Sequence, residues 1–93
     1  MAKRVPPPEW APYVRELGQE LHRRRIAAGL SQEQLAAAAG ITRVTYGQLE
    51  KGLSKADAIA NPSLATLVAL SNVLHVDVTE LIPKGAPDIS AWR

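Results

Sequence analysis

The segment SQEQLAAAAGITRVTYGQLEKG, residues 31–52, decides how this chain folds. Ser31 stands three residues before Gln34, the spacing of a capping box, so a helix begins here. Gly40 stops it, because glycine takes the left-handed turn without steric cost. Thr42 then offers its hydroxyl as N-cap to a further short helix, which Gly52 closes. Two short helices joined across so tight a turn cross steeply and need a small residue where they touch, which Ala36 supplies. Ile41 returns to the interior after the turn, while Leu35 and Ala39 face Tyr46 and Leu49 to close a small core. A generic helical hairpin needs only one or two of these features. The full set, in order, predicts a helix-turn-helix unit.

Upstream, Val14, Leu17, Gly18, Leu21 and Arg25 share one helical face, so a first helix is expected from Tyr13 to Gly29. Before it, Pro6, Pro7, Pro8 and Pro12 predict an extended arm. Downstream, residues 53–61 carry no clear period and end at Asn61-Pro62. A fourth helix is expected over residues 63–74, burying Leu64, Leu67, Val68, Val73 and Leu74. Asp77 and Glu80 have the spacing of another capping box, for one turn that carries Leu81 and Ile82 inward before Pro83 ends it. The expected organisation is an arm over 1–12, an all-α domain over 13–82 and a tail over 83–93 that contains Trp92.

A chain of 93 residues makes one domain, with no room for a second core. Apolar residues are 46% of it, with two Trp, two Tyr and no Phe, which suits closely packed helices better than a sheet. With no cysteine, neither disulfides nor thiolate metal sites are available. The most apolar stretch, residues 64–78, is too short and too polar to cross a bilayer. Lys3 and Arg4 precede no apolar run, so no signal peptide is expected and the cytoplasm is the default compartment. The net charge of +2 says little. Its distribution says more, because Glu50 is the lone acid within residues 40–56, which also hold Arg43, Lys51 and Lys55. His22 and His75, the only neutral-pH bases, stand far apart, and no spacing fits a nucleophile elbow, a phosphate loop or a metal site. No enzyme activity, cofactor or metal is expected.

Ser31-Gln32-Glu33-Gln34-Leu35-Ala36, then Gly40-Ile41-Thr42, then Leu49-Glu50-Lys51-Gly52, resemble the Cro/repressor helix-turn-helix family of phage and bacterial transcriptional regulators. Arg25 before Gly29, the pair Pro62-Ser63, Leu74-His75-Val76 and Leu81-Ile82 extend the resemblance over about residues 14–82. It implies a compact five-helix, lambda-repressor-like DNA-binding domain, with the helix-turn-helix in helices two and three. It also implies a homodimer on a palindromic operator. An ion pair between Arg25 and Glu50 is suggested as well, and the isolation of that acid in a basic region makes the pairing sensible. Three features depart from the family. Gly47 lies in mid-helix, at a cost of about 1 kcal/mol relative to Ala. His75 replaces the common Gly after helix four, and the link from Gly52 to Pro62 is longer than usual.

Docking helix three through Tyr46 and Leu49 turns Arg43, Val44, Gly47, Gln48 and Lys51 outward. Such a face is ordinarily only solvated. Arg43 and Gln48, however, carry the paired donors and acceptors that base edges require, and Val44 suits a thymine methyl. These three are the expected base readers in double-stranded DNA. Gln32, Thr42, Thr45, Lys51 and Lys55 are the expected phosphate contacts. Gly47 has two readings, a point of close approach to DNA or an uncompensated weakness.

The expected function is a sequence-specific transcriptional regulator, most simply a repressor that occupies an operator. Rival readings are an antitoxin with a protein partner and an interaction adaptor of the same fold. One helix reads few base pairs, so a homodimer is expected, with paired helices about 34 Å apart. Leu53, Ala58, Ile59, Ile89 and Trp92 offer apolar surface for it, the end of helix four with the tail being the favoured face. Lys3 and Arg4 on the arm are expected to add affinity without specificity.

Overall fold

The computed structural model of the protein describes residues 5–92, so Lys3 and Arg4 lie outside the described residues. Five α-helices follow in order: α1 Trp10–Ala27, α2 Gln32–Ala39, α3 Arg43–Glu50, α4 Leu64–Leu74 and α5 Val78–Leu81. A 3-10 turn, Lys55–Asp57, lies between α3 and α4. The helices close around one core of Val14, Leu17, Leu21, Leu35, Tyr46, Leu49, Leu67, Leu70, Leu74 and Leu81.

Local chemistry explains most of the boundaries. Ser31 Oγ accepts from the Gln34 backbone N–H at 3.0 Å, and Gln34 Oε1 accepts from the Ser31 N–H at 2.8 Å. Gly40 ends α2 at φ 77°, and Ile41 N–H reaches back to the Ala36 carbonyl at 3.0 Å. The Asp77 and Glu80 pair repeats the capping box on α5. His75 holds a left-handed conformation at the end of α4, at φ 57°. That is a costly state for a residue with a β-carbon.

Two expectations need correction. Helix α1 begins at Trp10, not Tyr13, so the boundary drawn after residue 12 falls inside it. Pro12 is its third residue, where the missing N–H would have had no helical partner anyway, so proline there does not break the helix. On α4 the buried face is Leu67, Leu70, Ser71 and Leu74. Val68, 36% exposed, lies off the phase of that face, and Leu64, three residues before Leu67 and seven before Ser71, is the first residue of the helix and 66% exposed.

Trp10 and Tyr13 at the start of α1, and Trp92 in the tail, also pack within the domain. Trp10 Nε1 donates to the Ala60 carbonyl at 3.0 Å, and Tyr13 Oη donates to the Pro83 carbonyl at 2.8 Å. Trp92 in the tail lies against Trp10, with ring centroids 5.7 Å apart. Residues 52–60, which showed no period, form a small hairpin. Leu53 bridges Ile59, Ala60 N–H donates to the Gly52 carbonyl at 2.9 Å, and Ala56 sits at its tip with φ 56°.

Candidate nucleic-acid interface

Helix α3 is fixed from behind. Tyr46 is fully buried and Leu49 nearly so, and together they seat the helix on α1 and α2. Thr42 caps it, its Oγ1 accepting from the Thr45 N–H at 3.1 Å and donating to Thr45 Oγ1 at 2.9 Å.

At its far end, the Glu50 carboxylate gathers donors from three helices. Arg25 Nε of α1 donates to Oε2 at 2.7 Å, and Tyr46 Oη donates to the same oxygen at 2.5 Å. Gln32 Nε2 of α2 donates to Oε1 at 2.9 Å, and His22 Nδ1 lies 3.1 Å from that oxygen. Arg25 also holds the Leu30 carbonyl at 3.0 Å, which ties the α1–α2 turn to the same cluster. Burial alone would push the Glu50 carboxyl up. The hydrogen bonds from Arg25, then Tyr46, Gln32 and His22, outweigh burial and hold it at about 2. Burial, then the bond to Glu50, pushes the Tyr46 phenol well above its ordinary range, so it stays a donor.

The opposite side of α3 faces outward. Arg43 is exposed, Val44 is 64% exposed, Gln48 is half-buried and Lys51 stands exposed at the C-cap. Thr45 and Gln48 line one groove together with Leu53, Lys55 and Thr66, so the 52–60 hairpin carries Lys55 to the edge of the same face. The structure therefore brings Arg43, Val44, Thr45, Gln48, Lys51 and Lys55 to one region of the surface. Gln32 is placed differently. Its amide nitrogen is bonded inward to Glu50, and the residue is half-buried at the seam between α2 and α3.

Tyr46 and Gln32 join Arg25 at Glu50, beyond the single ion pair that the sequence suggests. Tyr46 and Glu50 stand at i and i+4 on one helix, a spacing that places side chains together and was available to find that pair. Nothing in the sequence marks Gln32 for it, because that contact crosses between two helices.

The model of the helix-turn-helix family HTH_3 matches residues 21–81. The chain is similar to the SPbeta prophage-derived uncharacterized HTH-type transcriptional regulator YonR of Bacillus subtilis (strain 168), at 41% identity over 68 residues. That match covers 73% of this chain and 56% of YonR, so the chain spans little more than half the length of that curated relative. The restriction-modification controller protein C.AhdI from Aeromonas hydrophila superposes with a TM-score of 0.65 at 36% identity, covering 77% of this chain and 98% of that one. SinR, the master regulator for biofilm formation, from Bacillus subtilis, was solved in complex with DNA. That structure matches with a TM-score of 0.63 at 31% identity, over 72% of this chain and 98% of the SinR chain it contains.

Proposed function

The chain belongs to the helix-turn-helix family HTH_3, and from that membership we propose that it regulates transcription by reading a DNA sequence with α3. One observation carries this reading. Helix α3 is locked from behind by Tyr46, Leu49 and the Glu50 cluster, while Arg43, Val44 and Gln48 stand on its outer side. A base reader needs that combination, because a few side chains must meet base edges within hydrogen-bond tolerance, and a loose helix would lose the register.

Arg43, at the first turn of α3, offers a two-pronged donor for guanine O6 and N7, and Gln48 an amide for adenine. Val44 is an exposed apolar side chain on a polar face, suited to a thymine methyl. Thr45, Lys51 and Lys55 hold the DNA backbone and set the register without adding sequence information, whereas Thr42 gives its hydroxyl proton to Thr45 Oγ1 and serves as the cap. In this account the protein is a cytoplasmic repressor that binds a palindromic operator as a homodimer. The test is selection by the purified protein from a random pool of duplex DNA. A single recovered motif with two-fold symmetry supports the proposal, and recovery of no motif overturns it.

A further inference from the structure

We propose that Gln32 is also a base reader: its carboxamide oxygen accepts from an exocyclic amino group in the major groove, through a gap that Gly47 leaves in α3. The inference rests on the proposed reading of DNA by α3 and extends it to a residue of α2.

Glu50 is held as a carboxylate by Arg25 and Tyr46, so it only accepts hydrogen bonds. The Gln32 atom 2.9 Å from Glu50 Oε1 is therefore the nitrogen, and the orientation of the carboxamide is dictated by charge. The oxygen must then point the other way. A β-carbon built on Gly47 would lie 3.4 Å from that oxygen, with the rest of the amide 3.9 Å away. The acceptor thus sits beside the bare backbone of Gly47, at the seam of the two helices and next to the Val44 and Gln48 positions.

Phosphate offers only acceptors at neutral pH, so it cannot pair with a carbonyl oxygen. The major-groove donors of DNA are the N6 amine of adenine and the N4 amine of cytosine. An amide oxygen fixed in orientation before DNA arrives selects an amine-bearing base, adenine or cytosine, over guanine and thymine at little entropic cost.

Gly47 supports the same assignment. A positive φ or a close backbone contact requires each of the chain's other glycines, whereas Gly47 has neither. The fold would accept alanine there, in ordinary contact with Gln32, and the helix would gain from it. An alanine methyl would, however, lie over the carboxamide oxygen.

The experiment uses the full chain and the operator it selects. Adenines are replaced one at a time by 2-aminopurine, which moves the amine to the minor groove, and cytosines by 2-pyrimidinone, which lacks it. The wild type should lose between about 5- and 100-fold at one base of each half-site, and the analogue that causes the loss identifies adenine or cytosine. Gln32→Ala should bind the natural operator correspondingly more weakly and be indifferent to that replacement. Gly47→Ala should show the same indifference while melting about 4–8 °C higher. Equal losses by Gln32→Ala on operator and random DNA would make it a phosphate contact and overturn the proposal. So would an analogue penalty that survives in both variants, or a lower melting temperature for Gly47→Ala. A wild type that selects no sequence would instead refute base reading by α3.

Discussion

Gly18 of α1 lies directly against the main-chain carbonyl of Glu50, the last residue of α3. A β-carbon on Gly18 would overlap that carbonyl and come within 2.6 Å of the Leu49 oxygen. Two helix backbones meet there without a side chain between them. This contact sets how far α3 stands from α1, and hence where its outer face lies.

Gly18→Ala should therefore cost at least about 2 kcal/mol, since the obstruction is backbone and cannot rotate away. Chemical denaturation of the two proteins measures it. A change within about 0.5 kcal/mol, the ordinary range for a surface substitution, would mean the helices are free to slide apart.

Glu50→Gln should destabilise by about 3 kcal/mol, because it leaves the Arg25 guanidinium without its counter-charge in a largely buried site. Joining Arg25→Met to Glu50→Leu should recover part of that loss. It should not recover all, because Tyr46 Oη loses its acceptor too. The wild type should also be acid-sensitive in a defined window. A carboxyl whose folded value is about 2 against 4.5 when free stabilises the fold fully above the free value, and less as pH falls towards the folded one. Melting temperature against pH should fall across that window in the wild type and be flatter in Glu50→Gln. Parallel curves would contradict the cluster's role.

The parts of this architecture legible in the sequence are those set by neighbours along the chain. The Ser31–Gln34 capping box, the turn at Gly40, the Thr42 cap and the inward face of α1 all rest on spacings within a helix or turn. What escaped depends on distant partners or on a rule applied too strictly. The hairpin at 52–60 is pinned by Trp10 donating to Ala60, a contact between residues 50 positions apart. The start of α1 is hidden because a run of prolines predicts an extended arm, whereas Pro12 falls within the first turn of the helix, where proline is harmless. Val68 is apolar but off the phase of the buried face of α4, and Leu64 is in phase with Leu67 and Ser71 but begins the helix. For the candidate site, the outer face of α3 followed from Tyr46 and Leu49, whereas the inward bond of Gln32 required both helices in place.

Those two exposed residues bear on assembly. The tail was the favoured dimer surface together with α4, yet Trp92 packs on Trp10 of its own chain. Leu64 and Val68 stand at i and i+4 on the outer edge of α4, and they make the better candidates for a two-fold contact. Sedimentation should show a dimer for the wild type and a monomer for Leu64→Glu combined with Val68→Glu. A dimer that survives both charges would move the interface elsewhere, and a wild type monomeric both free and on DNA would remove it.

Lys51 and Lys55 are exposed cations at the rim of the reading face. Lys51→Ala should weaken binding to every sequence alike and reduce the slope of log affinity against log salt by about one. Lys55→Ala should do the same from the hairpin. Selection of a changed motif by either variant would make it a reader and contradict the phosphate assignment.

Whether the outer face of α3 reads bases turns on Arg43. Its side chain stands exposed in the first turn of α3, where a fork of donors can address a guanine edge. The measurement is the affinity of Arg43→Ala for the selected operator and for random duplex DNA at one salt concentration. Loss of a bidentate base contact should cost about 1–3 kcal/mol on the operator, relax the preference at one base pair of each half-site, and cost much less on random DNA. Equal losses on both would make Arg43 another backbone contact, and α3 would not be the reading head.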